Sequence, residues 1–194
     1  MSSLFRHSDK LDPAKLCFEP FRTDTSQIAT FDCGNKDLNE FLCTDEVSNY
    51  EEEMLGKTTL VFYEGELTGY YTLSSTSLSV RYLEHKTGFG KLSEYHINEL
   101  PALLIGRLAI DLKWQKKGVG RYIVQRIAMM ALDHSRNQGI RLLVVQAKED
   151  AFDFYKKCGF DFVMESRNEM KRFKARGTRT MFFDVSSLKY LQTK

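Results

Sequence analysis

The sequence predicts one α/β domain built on a mixed β-sheet, and three segments carry that expectation. Residues 102–145 read as strand, glycine turn, long helix and strand, an order that implies a parallel crossover. Residues 57–75 read as an antiparallel hairpin. A short helix at 150–157 then leads into two final strands, 160–164 and 180–185. At 194 residues the chain is long enough for one sizeable core, so residues 1–194 are read as a single domain.

Taken in order, Leu16–Arg22 looks like a first strand, with Pro20 pointing to a sheet edge. A helix follows from the Phe31-Asp-Cys-Gly34 turn. Asn35 or Gly34 can cap it, Leu38, Phe41 and Leu42 repeat at helical spacing as far as Val47, and Glu51–Glu53 form a solvated end. Lys57–Tyr63 and Leu67–Ser75 flank Glu64-Gly65 as the hairpin. Residues 81–100 carry Gly88, Gly90, two histidines and mixed charge, and read as an insertion or long connection with some helix. Ala102–Ile110 is the strand before the glycine turn, and Val119–Asn137 is the helix after it, stopped by Gly139. Leu142–Val145 is a continuous apolar run, as in a strand covered on both faces.

Bulk properties exclude some function classes. No apolar run approaches the ~20 residues that span a bilayer, so no membrane partner is expected. Met1–Lys10 lacks the apolar core of a secretory signal, which gives a cytoplasmic expectation. The cysteines Cys17, Cys33, Cys43 and Cys158 are dispersed, without the paired spacing of zinc ligands. They read as reduced and mostly buried, and no metal is expected. His7, His85, His96 and His134 are equally scattered. A net charge of +2 favours no partner by itself, so the distribution of charge matters more than its total.

The chemistry concentrates in Gln115-Lys116-Lys117-Gly118-Val119-Gly120-Arg121. A basic glycine turn running into a helix offers backbone N–H groups and a positive dipole end, both of which attract phosphate. The same pattern also suits an ordinary surface turn. No Gly-Lys-Ser/Thr closes it, and the third glycine of the dinucleotide fingerprint is missing.

The segment Gln115–Gly120 resembles the Gln/Arg-x-x-Gly-x-Gly/Ala pyrophosphate loop of the GCN5-related N-acetyltransferases (GNAT). The run Ala147–Phe160, with Phe154-Tyr155 shortly before Gly159-Phe160, resembles the closing motif of the same family. The resemblance implies the GNAT fold, a central mixed sheet with helices on both faces and a splayed fourth and fifth strand. It implies acetyl-CoA as acetyl donor and a primary amine as acceptor, acetylated by direct attack. It gives the donor the backbone of Leu108, Ala109 and Ile110 and the loop Gln115, Lys116, Lys117, Gly118, Val119, Gly120 and Arg121. It makes Tyr155 the general acid, where otherwise the ring simply packs. One departure stands out: Lys148, Glu149 and Asp150 occupy the place where many members have a cofactor-holding asparagine. No general base is evident: Asp111 and Glu66 are available, but each reads first as a solvated surface carboxylate. Cys158, before a helix-ending glycine, reads as a small buried thiol.

Within that superfamily the chain is most similar to the bacterial toxin-like acetyltransferases that modify charged tRNA. The similar segments are Phe31-Asp-Cys-Gly34 with Leu38 and Phe41-Leu42, Gly69–Leu73, Pro101–Asp111, and Phe154-Tyr155 followed by Thr180–Phe183. This implies tRNA and a small antitoxin-type protein as partners. Dimers are common among relatives, though no residue pattern here requires a homodimer. Arg167, Lys171, Arg172, Lys174, Arg176 and Arg179 face only Glu169 in charge, so this stretch suits either a phosphate backbone or a solvated loop. The alternatives to charged tRNA are a protein, peptide or small-amine acceptor, or a regulatory module that holds the donor without turnover.

Overall fold

A computed structural model of the chain describes residues 11–83, 86, 89, 92 and 96–191. Seven strands hydrogen-bond in the order β1-β2-β3-β4-β5-β7-β6, a mixed sheet in which β4 and β5 are neighbours joined through a crossover helix. These are β1 (Leu16–Pro20), β2 (Lys57–Tyr63), β3 (Glu66–Ser79), β4 (Glu99–Ile110), β5 (Leu142–Lys148), β6 (Asp161–Phe162) and β7 (Thr178–Asp184). The helices are α1 (Lys36–Cys43), α2 (Glu46–Glu52), α3 (Val119–His134), α4 (Phe152–Lys157) and α5 (Arg167–Arg176). Among the described residues no helix is long and apolar enough to cross a membrane.

Two units share these elements, one made of His7–Ser74 and Ile105–Val124. In it, β1 sits at the edge, as Pro20 requires, and pairs antiparallel with β2. Glu64 and Gly65 both have positive φ, 51° and 84°, the signature of a type I′ hairpin between β2 and β3. Asn35 caps α1 by accepting the Leu38 N–H at 3.2 Å. The predicted single helix is two, because Thr44 ends α1 and its hydroxyl then takes the Glu46 N–H at the start of α2. Glu51 is not merely solvated: it accepts the Thr58 N–H at 2.7 Å and pairs with Lys57. Phe31, Phe41, Leu42, Val47, Leu60, Tyr70 and Ala109 form this unit's core. Gly69 lies flat against β4, where a Cβ would stand 2.5 Å from the Ala109 carbonyl oxygen.

The other unit comprises Ser75–Leu104 and Gln125–Lys194. β5 pairs with β7 over seven residues, Leu142 opposite Asp184 through Lys148 opposite Thr178. Arg141 locks the start of that ladder with a two-pronged ion pair to Asp184, both bonds 2.8 Å. The core gathers Leu78, Val80, Leu83, Leu100, Leu142, Val144, Val163 and Phe182. Leu83 and Phe89, from the predicted insertion at 81–100, are buried in it, so part of that segment is core. Gly88, Gly90 and His85 of the same segment, and His7, lie outside the described residues.

Some boundaries differ from expectation, each for a local reason. α3 stops at His134 rather than Asn137, because Arg136 and Asn137 donate to carbonyls three residues back and tighten the last turn. β4 starts at Glu99 and includes Pro101, whose carbonyl accepts the Arg141 N–H at 2.8 Å. β6 is only two residues long, since Met164 leaves the ladder to donate to the Tyr82 carbonyl. The basic stretch after it is helix, not loop: Ser166 caps α5 by accepting the Glu169 N–H, and Gly177, at φ 63°, ends it. Cys17 and Cys43 are exposed, whereas Cys33 and Cys158 are buried.

The close approach of Gly69 to β4 is testable. Gly69→Ala should lower stability by about 2 kcal/mol in denaturant unfolding, because the new methyl collides with backbone. Gly106→Ala, whose Cβ meets nothing nearer than 3.8 Å, should cost far less.

Candidate active site

The glycine turn grows directly out of β4. Asp111 follows the strand, and its N–H donates to the Thr68 carbonyl of β3 at 2.9 Å. A 3₁₀ turn over Leu112–Trp114 comes next, capped by Asp111, whose carboxylate accepts the Lys113 N–H. The backbone then enters the left-handed region at Lys116 (φ 61°) and again at Gly118 (φ 97°). That conformation costs a residue with a Cβ about 1 kcal/mol, so Lys116 is held there by its surroundings. Val119, fully buried, pins the start of α3. The first helical bond runs from the Tyr122 N–H to the Gly118 carbonyl at 3.1 Å. The N–H groups ahead of it belong to the first turn, where a helix offers donors and a positive dipole end. Lys116 and Lys117 are exposed beside them, and Gly118, Gly120 and Arg121 are half-buried.

Upstream, Ala109 faces the core while Leu108 and Ile110 are half-buried. Asp111 is not the solvated carboxylate that its sequence context suggests. It is buried, and its two oxygens accept the Asp32 and Lys113 N–H groups, which makes it a cap rather than a free base. Glu66 is exposed and near Lys113.

Tyr155 sits on α4 in the other unit. Its buried ring meets Phe154 and Phe160 edge-on, at 5.0 and 5.3 Å between centroids. Gly159, at φ 87°, lets the chain double back so that the Phe160 N–H bonds the Tyr155 carbonyl. Burial, with Cys158 close by, pushes the Tyr155 hydroxyl pKa well up, so the phenol keeps its proton through neutral and mildly alkaline pH.

The six basic residues near the C-terminus divide into two groups. Arg172 bonds Glu169, Thr180 and Gln146, and Arg179 pairs with Glu165 while covering the Phe162 ring. Arg167, Lys171, Lys174 and Arg176 are exposed. The first three, at i, i+4 and i+7, form a stripe along one face of α5.

Sequence patterns do not reveal two features of the first unit. Arg107 stands 3.5 Å above the Phe41 ring and pairs with Glu46, an arrangement with no local spacing to signal it. The turn Asp32-Cys33-Gly34 is bonded to the start of the glycine loop. Its Phe-Asp-Cys-Gly signature is visible, but the partner lies about eighty positions away.

Residues 57–161 match the family model for an acetyltransferase (GNAT) domain. The tRNA-acetylating toxin of Mycobacterium tuberculosis (strain ATCC 25618 / H37Rv) is 25% identical over 141 residues, 72% of this chain and 80% of that protein. The solved structure of AtaT complexed with acetyl-methionyl-tRNAfMet superposes with a TM-score of 0.73 at 26% identity, covering 92% of this chain and 99% of that one. An AtaT variant bound to acetyl-CoA and the C-terminus of the antitoxin AtaR gives 0.68 at 25% identity, covering 93% and 99%. The chain belongs to the GNAT acetyltransferase family, and its fold is that of the toxin-like members.

Asp32 offers a pH test of the turn that meets the loop. The Gly34 N–H, then the Asn39 amide, lower its carboxyl pKa. The stabilisation is therefore complete above the unfolded value of about 4 and fades as pH falls through the lower folded one. The stability difference between wild type and Asp32→Asn should be greatest near neutrality and shrink in acid, measured by urea unfolding across pH.

Proposed function

We propose that this chain transfers the acetyl group of acetyl-CoA to the amino group of an aminoacyl-tRNA. The observation that carries the donor side is the loop itself. Two left-handed residues, a helix N-terminus and two exposed lysines fit a pyrophosphate in a chain of this family. Lys116, Lys117, Gly118, Gly120 and Arg121 would hold the phosphates, and the backbone of Leu108, Ala109 and Ile110 the pantetheine arm. Support for the acceptor comes from the whole-length likeness to AtaT, solved with acetyl-methionyl-tRNAfMet, and from the tRNA-acetylating relative. The exposed stripe Arg167, Lys171 and Lys174 supplies charge for a phosphate backbone, while exposed Arg176 lies across the helix from it. An antitoxin-type protein is the expected second partner, by analogy with AtaR on AtaT.

The reaction needs little from the protein. The neutral amine attacks the thioester carbonyl carbon, the C–N bond forms, and the C–S bond breaks. The departing thiolate takes a proton from the Tyr155 hydroxyl, while the amine gives its own proton to solvent. Tyr155 reaches the step protonated, as any tyrosine does at neutral pH; burial makes its hydroxyl hold that proton more tightly, so the transfer depends on where the ring is placed.

Incubation with labelled acetyl-CoA and, separately, charged tRNA, peptides and polyamines tests the acceptor. Label on the tRNA-borne amino acid is expected; label confined to peptides or polyamines overturns the tRNA reading. Donor binding without any transfer points to the regulatory module instead. Tyr155→Phe should lower kcat by about 100-fold or more while leaving donor affinity unchanged. Lys171→Ala with Lys174→Ala should flatten the salt dependence of tRNA binding by about 0.7–0.9 in logarithmic slope for each phosphate no longer neutralised.

A further inference from the structure

The first residue of the donor loop uses its side chain away from the loop. Gln115 Nε2 donates to two carbonyls, Cys33 at 2.9 Å and Ile110 at 3.0 Å. The Leu112 N–H donates to the Asp32 carbonyl at 2.8 Å, and the Asp32 N–H donates to Asp111 Oδ2 at 3.2 Å. Residues 32–34 are thus spliced to residues 111–115 by three hydrogen bonds, and the bond to Ile110 anchors the same amide to the end of β4. Gly34, at φ 77°, packs so closely that a Cβ would meet Leu112 Cδ2 at 3.1 Å. The turn is itself shaped from helix α1. Asn39 Oδ1 accepts the Cys33 N–H at 2.9 Å and its thiol at 3.0 Å, while Asn39 Nδ2 donates to Asp32 Oδ1 at 2.7 Å. All of these residues lie in one unit.

We propose that Asn39, Asp32 and Gln115 are positioning residues that set the donor loop in its phosphate-ready shape before acetyl-CoA arrives. The inference rests on the donor assignment above. Lys116 sits in a conformation a non-glycine residue avoids, one position after Gln115. Holding Gln115 at two carbonyls fixes where the chain enters that turn. Without the splice the loop samples other shapes, and binding must supply the ordering. The chemistry of position 115 follows: it faces two acceptors, so it must be a donor. An arginine keeps that property and a glutamate reverses it.

The test is coenzyme A binding by calorimetry, followed in parallel by fluorescence of Trp114, the only tryptophan, which adjoins Gln115. Asn39→Ala and Gln115→Ala should each weaken binding about fivefold. The double variant should weaken it by less than the product of the two, since both act through the Cys33 turn. Gln115→Arg should return to within about twofold of wild type, whereas Gln115→Glu should bind no better than Gln115→Ala. Amide exchange over 116–121 should quicken in the ligand-free alanine variants, with the hairpin of β2 and β3 unchanged. Wild-type affinity in both alanine variants, strictly multiplicative effects, or an arginine variant as weak as alanine overturns the proposal. A wild-type protein that binds no coenzyme A overturns the donor assignment instead, and this inference with it.

Discussion

The glycine loop turns its backbone through left-handed conformations at Lys116 and Gly118, and the way the chain is fastened around it follows from that constraint. That geometry is unfavourable for Lys116, which carries a Cβ. The chain therefore fastens the loop on either side. Val119 is sunk in the core downstream, and the Asp111–Gln115 segment is bonded to the Asp32 turn upstream. The part between these fastenings is short, and it carries the exposed Lys116 and Lys117.

Charge is rationed in a similar way. Arg107 covers aromatic rings and pairs with Glu46, Arg141 grips Asp184, and Arg172 is held by buried Glu169 with Thr180. Such pairs fix the register of strands and helices more than they add stability. On α5 the exposed cations Arg167, Lys171 and Lys174 fall on one stripe, with Arg176 across the helix from them. The 3.6-residue repeat lines up the three, and Ser166 and Gly177 set where the helix that carries them starts and stops.

Periodicity and turn chemistry reveal most of the fold. The hairpin is visible in Glu64-Gly65, the crossover in the apolar 142–145 run, and the edge strand in Pro20. The helix break at Thr44 is hidden, because the apolar spacing carries on across it while a hydroxyl takes over the backbone bonds. The shape of α5 is hidden by its composition, almost without apolar residues. Its buried side is held by Glu169, which no hydrophobic pattern signals. At the site, the glycine spacing marks the loop, and Tyr155 is marked by its Phe-Tyr and Gly-Phe neighbours. The identity of Asp111 as a cap, and of Gln115 as a donor to carbonyls, needs partners brought together from distant parts of the chain.

The strand order β5-β7-β6 also has a consequence for how the chain is made. Among the described residues strand β6 precedes β7 in the sequence but pairs only with it, and β5 waits for the same partner. A nascent chain that has emerged only as far as α5 therefore carries an unfilled slot, with β5 presenting an apolar, unpaired edge. Residues 178–184 supply the strand that fills that slot between β5 and β6. An acetyltransferase wired like this acquires its completed sheet late in synthesis, so interrupted translation yields fragments that lack it.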